Sequence, residues 1–182
     1  LAKSGLKPFF AVYSTFLQRA FDQAFQEVAL QGLPVRLCLD RAGLVGGDGA
    51  VHHGFCDVSI LSVFPGAALM AAIDEPSLKA SLEFMRNYEE GLSCVRYPRD
   101  DVNERFEGDC PPFELGKARA LIRHDDPDIA VLGYGVMAMT GMEAADAIGQ
   151  DAKIDVYDAR FAKPVDTELI RSLIERKIPI VT

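Results

Sequence analysis

Tryptophan is absent from the sequence, and basic residues are scarce: 19 Lys and Arg stand against 27 Asp and Glu, for a formal net charge of −8. Without a basic stripe the chain has little with which to neutralise the phosphates of a nucleic acid, so we expect no nucleic-acid partner. No apolar run reaches the roughly 18 residues that a membrane-spanning helix needs, so we expect no membrane partner either. With 49% hydrophobic and 25% charged residues, the composition is that of an ordinary globular protein.

The four cysteines contain no Cys-x-x-Cys pair, which argues against a zinc knuckle or a thioredoxin motif. Four cysteines at this length favour reduced thiols in a cytoplasmic protein. The sequence begins at Leu1 without a signal or transit pattern, and its last residues are typical of a buried strand. We therefore expect a fragment of a longer polypeptide.

Short apolar runs alternate with helical spacing along the chain, a pattern that predicts an α/β fold with parallel sheets. The predicted strands cover residues 8–13, 34–39, 67–72, 93–97, 118–123, 129–134 and 154–157, with one more at Pro179. The predicted helices cover residues 16–30, 58–64, 137–148 and 167–175, with another that Asp74 caps. Residues 100–116 are rich in Asp, Glu, Gly and Pro and predict a linker, which divides the chain into domains at 1–99 and 117–182.

Residues 40–57 form the stretch around which the rest is organised. They hold five glycines, two adjacent histidines and three aspartates, and they follow the predicted strand 34–39 directly. Ligands of open α/β sheets bind outside the carboxyl ends of the strands, on loops of this kind. The sequence therefore predicts a functional site in this loop.

Three potential donors occupy equivalent strand ends. Tyr13 ends the first predicted strand, Arg41 follows the second, and Arg99 follows the strand at 93–97. A guanidinium group matches phosphate oxygens bidentately, so their convergence would form an anion site for a phosphate. The alternative is that each arginine is a solvated surface charge, as most arginines are.

Within the loop, His52 is suited to proton exchange near neutral pH, and Asp48 four residues earlier could orient its ring. His52 and His53 point opposite ways if the segment is extended, so a shared metal is not expected. The Gly-Asp-Gly sequence around Asp48 is also typical of a tight turn, and the region some two dozen residues later holds no Asn before Asn87. We predict no metal site in this chain.

Five segments closely resemble 1-deoxy-D-xylulose-5-phosphate synthase, in order along the chain. They are residues 13–23 (YSTFLQRAFDQ), 40–49 (DRAGLVGGDG), 52–54 (HHG), 95–99 (VRYPR) and 160–166 (RFAKPVD). The resemblance implies a three-domain, transketolase-like enzyme, of which this chain covers most of the pyrimidine-binding domain and the truncated start of the C-terminal α/β domain. It implies thiamine diphosphate as cofactor, with Mg²⁺ bound by ligands outside this chain.

The resemblance further implies pyruvate and glyceraldehyde 3-phosphate as substrates, with release of CO2 and formation of 1-deoxy-D-xylulose 5-phosphate for isoprenoid, thiamine and pyridoxal biosynthesis. The cofactor acts as the electron sink. A homodimer is implied for the full-length enzyme, in the cytoplasm, or in a plastid if a transit peptide lies upstream.

Seven residues match positions of this family that contact cofactor or substrate. Phe16 resembles the aromatic residue that stacks on the aminopyrimidine, with Arg19 in the same part of the site. The substrate phosphate is assigned to Tyr13, Arg41 and Arg99, and catalytic contacts beside the thiazolium are assigned to Asp48 and His52. His53 is expected to support the structure.

The sequence also departs from the family pattern at Ala50, Val51, Phe55, Cys56 and Asp100. An acidic Asp100 would weaken a phosphate site if it pointed inward. The activating glutamate of the family lies upstream of residue 1, so we expect this chain to be inactive alone. Alternatives are transketolase, the beta subunit of a 2-oxo acid dehydrogenase, or a noncatalytic α/β module derived from such an enzyme.

Overall fold

The computed structural model describes residues 1–101, 105–106 and 108–182, so part of the predicted linker lies outside the described residues. The first sheet contains four parallel strands in the order β1-β2-β4-β3. Their bounds are β1 Phe9–Tyr13, β2 Arg36–Asp40, β3 Ala68–Ala71 and β4 Ser93–Arg96. The α-helices of this half are α1 Phe21–Gln23, α2 Asp57–Ser62 and α3 Glu75–Asn87.

The second sheet has the order β5-β7-β6-β9, with β5 antiparallel to β7 and the other pairs parallel. Its strands are β5 Arg119–Ile122, β6 Ile129–Gly133, β7 Ile154–Asp158 and β9 Ile180–Val181, and its helices are α4 Val136–Ile148 and α5 Thr167–Glu175. The predicted α/β fold with parallel sheets is confirmed. Among the described residues, no helix is long and apolar enough to cross a membrane.

Helix α3 begins where the sequence predicts it. The Asp74 carboxylate accepts a hydrogen bond from the Ser77 backbone N–H at 2.7 Å, and the Ser77 hydroxyl oxygen accepts one from the Asp74 N–H at 3.0 Å. This reciprocal capping satisfies backbone donors that the first turn of a helix leaves without partners. The result fixes α3 directly after β3.

The predicted helix at residues 16–30 is only partly an α-helix. The chain forms a 3-10 helix over Ser14–Ala20, the single turn α1, and a π-helix over Ala24–Ala29. Leu17 and Ala24 both pack into the core under the sheet. A 3-10 helix has fewer residues per turn than an α-helix, and a π-helix has more. The two together average to the spacing of an α-helix, so the apolar spacing in the sequence could not distinguish them.

One strand was not predicted at all. Strand β8, Phe161–Lys163, follows β7 after two residues and pairs antiparallel with β3, on the edge of the first sheet. The Lys163 ammonium donates to the backbone carbonyls of Ser62 at 2.7 Å and Phe64 at 2.6 Å. A strand from the C-terminal part of the chain thus completes the first sheet. The division into domains at 1–99 and 117–182 stays a prediction.

Candidate functional site

The parallel register brings the predicted residues to one edge. Tyr13 on β1 lies opposite Asp40 on β2, and Leu39 lies opposite Arg96 on β4. The Tyr97 carbonyl then accepts a hydrogen bond from the Ala42 N–H at 3.0 Å, which ties the two strand exits together. The loops that carry Arg41 and Arg99 therefore start side by side.

Asp48 lies between the two predicted phosphate-binding arginines. One carboxylate oxygen accepts a hydrogen bond from Arg41 Nε at 2.9 Å, and the other forms an ion pair with Arg99 Nε at 3.1 Å. Asp40 also pairs with the Arg41 guanidinium. The structure thus brings Arg41, Asp48 and Arg99 together, as the sequence predicts, and adds Asp40, which the sequence reasoning missed.

These carboxylates stabilise the charged guanidinium of Arg41. Desolvation lowers the pKa of its guanidinium, but the hydrogen bond to Asp48 and the charge of Asp40 outweigh that effect and raise the pKa above its ordinary value. Within the described residues, Arg41 Nη2 and both Nη atoms of Arg99 have no hydrogen-bond partner. These atoms are the donors that remain for a ligand.

An aromatic group adjoins the charged one. The rings of Tyr13 and Phe16 stack with centroids 5.3 Å apart, and the His52 ring lies edge-on to both, 6.2 Å from Tyr13 and 5.7 Å from Phe16. The Arg41 guanidinium carbon lies 3.9 Å from the centroid of the Tyr13 ring, within cation–π distance. Phe16 remains 45% exposed, so much of its ring is open to a ligand.

The two histidines differ in their hydrogen bonds. His52 Nδ1 lies 2.8 Å from the Asp48 backbone carbonyl, and because a carbonyl oxygen only accepts, Nδ1 carries the proton. In the neutral ring Nε2 is then the free base. Asp48 thus orients His52 through its backbone rather than its carboxylate. His53 Nδ1 accepts from the Val45 N–H at 3.2 Å, in keeping with a supporting role.

The loop is closed at its base by two glycines. Gly43 and Gly54 exchange backbone hydrogen bonds of 2.7 and 2.8 Å. A β-carbon on Gly54 would lie 2.4 Å from both the Arg41 carbonyl oxygen and the Ser14 hydroxyl. Only glycine fits there, so Gly54 belongs to the site although the sequence reasoning gave it no role.

Two further residues that the sequence analysis names are Arg19 and Asp100. Arg19 is exposed and makes no hydrogen bond or ion pair within the described part of the chain, although residues three apart eclipse in a 3-10 helix and it lies on the side of Phe16. Asp100 lines a separate cleft of about 460 Å³ together with Asp74 and with Thr140 of helix α4, while Arg99 pairs with Asp48. Within the described residues, the Asp100 carboxylate forms no ion pair with Arg41 or Arg99 and instead accepts a hydrogen bond from the Asp101 N–H at 2.9 Å.

Val51 is a departure without a visible effect on the loop. Its side chain is 76% exposed, and its backbone carbonyl accepts a hydrogen bond from the Thr15 hydroxyl at 3.4 Å. That contact does not depend on the side chain at residue 51. Among residues 1–101, 105–106 and 108–182, no group of three His, Cys, Asp or Glu side chains could hold a metal ion.

Comparison with known proteins assigns the class first. A family described as "Transketolase, pyrimidine binding domain" matches residues 1–104, and "Transketolase, C-terminal domain" matches residues 118–182. The chain therefore belongs to the transketolase family, with a pyrimidine-binding domain followed by a C-terminal domain.

The most similar relatives include named enzymes of this family. The chain is 41% identical to the 1-deoxy-D-xylulose-5-phosphate synthase of Rippkaea orientalis and 42% identical to that of Synechocystis sp., in both cases over 100% of this chain and 29% of the relative. Among solved structures, a split-gene transketolase described as an inactive β4 tetramer has a TM-score of 0.85 and 26% identity, covering 100% of this chain and 58% of that one. A transketolase variant from Pichia stipitis has a TM-score of 0.76 at 16% identity, over 96% of this chain and 26% of that one.

Proposed function

We propose that this chain forms the pyrimidine and aldehyde-phosphate side of a 1-deoxy-D-xylulose-5-phosphate synthase. The enzyme would join pyruvate to glyceraldehyde 3-phosphate with release of CO2. One observation carries the proposal: Arg41 and Arg99 both pair with Asp48, and the Arg41 guanidinium lies over the Tyr13 ring, beside the exposed Phe16 ring and His52. The names of the relatives support the reaction, and the chain spans 29% of their length.

The arginine pair is the proposed phosphate site. Asp40 and Asp48 balance two guanidinium charges, so a bound phosphate gains from the free Nη donors rather than from surplus charge. Asp48 orients the Arg41 guanidinium through a hydrogen bond to Nε and holds Arg99 nearby through an ion pair, which leaves the Nη donors of both residues for a ligand. Holding the phosphate remote from the reacting carbon orients the aldehyde, which lowers the entropic cost of reaction.

Thiamine diphosphate fits the aromatic part of the site. Phe16 is backed by Tyr13 and 45% exposed, which suits stacking of a flat heterocycle, and the adjacent exposed Arg19 faces the same side. When bound, the cofactor supplies an electron sink for cleaving and forming bonds at a carbonyl carbon. Mg²⁺ ligands are expected in parts of the enzyme outside this chain.

His52 is the proposed proton-transfer group. Its Nδ1 proton is held by the Asp48 carbonyl at 2.8 Å, which leaves Nε2 to accept or return a proton. His52 lies between the aromatic and the charged parts of the site. A proton moved at Nε2 is therefore close to both the proposed cofactor and the proposed substrate.

The decisive test uses the complete gene product with any subunit that co-purifies. CO2 release from pyruvate is measured with thiamine diphosphate and Mg²⁺, with and without glyceraldehyde 3-phosphate. We expect aldehyde-dependent release, and Arg99→Met should raise the KM for the aldehyde about 10- to 100-fold while the KM for pyruvate stays unchanged, since a charge-assisted hydrogen bond contributes about 1.5–3 kcal/mol. Asp100→Asn is the matched control and should leave both KM values unchanged.

Transketolase is the second candidate, favoured by the TM-score of 0.85 to the split-gene transketolase. It would take a ketose phosphate as donor and release no CO2. A complete gene product that transfers a two-carbon unit from a ketose phosphate, and does not decarboxylate pyruvate, would replace the synthase proposal with this one.

A further inference from the structure

A residue of the underlying strand β4 anchors the loop that carries Asp48 and His52. Arg96, the last residue of β4, donates from Nη2 to the Gly54 carbonyl at 3.1 Å. That carbonyl already accepts from the Gly43 N–H at 2.7 Å. Both lone pairs of the Gly54 oxygen are thus used in closing the loop.

The same guanidinium is fixed from a second side. Arg96 Nε donates to Asp57 Oδ2 at 2.9 Å, and Asp57, only 1% exposed, also accepts at Oδ1 from the Val58 N–H at 2.9 Å. Asp57 begins helix α2. Arg96 therefore ties the end of the loop to the start of the helix that follows it.

The second domain contributes the third contact. The Tyr134 ring, directly after β6, lies with its centroid 5.7 Å from the Arg96 guanidinium carbon. A cation near an aromatic face is attracted within about 6 Å. Arg96 thus lies between the site loop on one side and the C-terminal domain on the other, and it does not line the arginine pair itself.

We propose that Arg96 is a positioning residue that sets the place of Asp48 and His52 through the Gly54 carbonyl, with Asp57 orienting its guanidinium and Tyr134 supporting it from the C-terminal domain. A merely structural ion pair would stabilise α2 alone. A positioning residue also keeps the Gly43 and Gly54 pair closed, and a displacement of about 1 Å in such a site costs about 100-fold in rate.

The first test is hydrogen exchange across residues 43–54 of the complete gene product. Arg96→Met should speed exchange of this segment about tenfold or more relative to β1, because the closure loses a charged donor. Arg36→Met is the matched control: Arg36 is buried where Arg96 is partly buried, and it donates to the Met85 and Tyr88 carbonyls at 2.9 Å at the opposite end of the sheet. It should lower stability without selectively speeding the loop.

The second test is kinetic, and it alone rests on the proposed function. Arg96→Met should lower kcat about 10- to 100-fold with little change in the KM for pyruvate, and Arg96→Lys should recover part of the loss. If Arg96→Met does not fold, Asp57→Asn and Tyr134→Leu take its place with smaller effects in the same direction. Folded variants whose loop exchange matches that of the wild type overturn the proposal, whereas loss of the synthase reaction alone leaves the exchange result standing.

Discussion

The carboxyl ends of the parallel strands lie in different surroundings in the two sheets. At the first edge of this kind, Arg41 and Arg99 each form an ion pair with Asp48. At the second edge, Gly135 approaches the first domain so closely that a β-carbon there would lie 3.1 Å from the Ala71 side chain. One edge is open to a ligand, and the other is covered by its neighbour.

The covered edge leaves polar atoms without partners. Among the described residues, the Tyr134 hydroxyl, Asp158 Oδ2 and Arg160 Nε are buried and make no hydrogen bond. Each such group costs free energy, so packing between the domains must offset the loss. Among the described residues, the open edge also leaves the buried Ser14 hydroxyl oxygen without a partner, but it pairs its carboxylates with guanidinium groups. We conclude that the charged group at the first sheet is arranged to bind a ligand. The buried strand ends of the second sheet instead pack against the first domain.

The largest effect on stability is expected from adding a side chain at Gly54, where the loop of the open edge closes. Gly54→Ala places a methyl group 2.4 Å from the Arg41 carbonyl and the Ser14 hydroxyl, which should displace the loop and lower the free energy of unfolding by about 3 kcal/mol. Gly47→Ala is the control, since no heavy atom lies within 4 Å of that position. Denaturant unfolding and activity of the complete gene product measure both. Equal stability of the two variants would contradict the assigned role of Gly54.

The sequence predicts the open edge better than the covered one. Arg41 and Arg99 could be placed because a parallel sheet brings strand ends together, whatever the exact strand bounds. The role of Arg96 could not be predicted, because the sequence does not tell which side of the sheet a charged residue within a strand faces or which group it pairs with. Its partner, Asp57, lies 39 residues away in sequence. Strand β8 was missed because three residues are too few to show a period.

The next largest effect concerns pH at the covered edge. Burial raises the pKa of Asp158 from 3.8 to about 6, although the Arg160 N–H and the charges of Arg160 and Arg119 lower it, and Asp74 raises it. Because the folded state holds the proton more tightly, the stability from this group is present below about pH 4 and lost as the pH rises through 6. Asp158→Asn should therefore match the wild type near pH 4 and be more stable at pH 7.5, by up to about 3 kcal/mol.

Denaturant unfolding at the two pH values measures the effect. The amide of the Asp158→Asn variant would keep an oxygen to accept from the Arg160 N–H, which the structure places 2.9 Å from the Asp158 carboxylate. Asp155→Asn on the same strand is the contrast, because both carboxylate oxygens of Asp155 have partners, the His124 N–H at 2.7 Å and the Tyr157 hydroxyl at 2.9 Å. That variant should lose stability at both pH values. If Asp158→Asn changed stability equally at both pH values, the cost could not come from burying the ionised carboxylate.

The smallest effect is expected from Tyr134→Phe. Burial raises the pKa of the Tyr134 hydroxyl, and this hydroxyl has no hydrogen-bond partner within the described residues, so its removal should leave stability unchanged or raise it by about 1 kcal/mol. The ring that faces Arg96 is kept, so hydrogen exchange across residues 43–54 should not change. Tyr134→Leu removes the ring and should speed that exchange. If the Phe variant loses stability, the Tyr134 hydroxyl has a hydrogen-bond partner, and its description as an unpaired buried group is wrong.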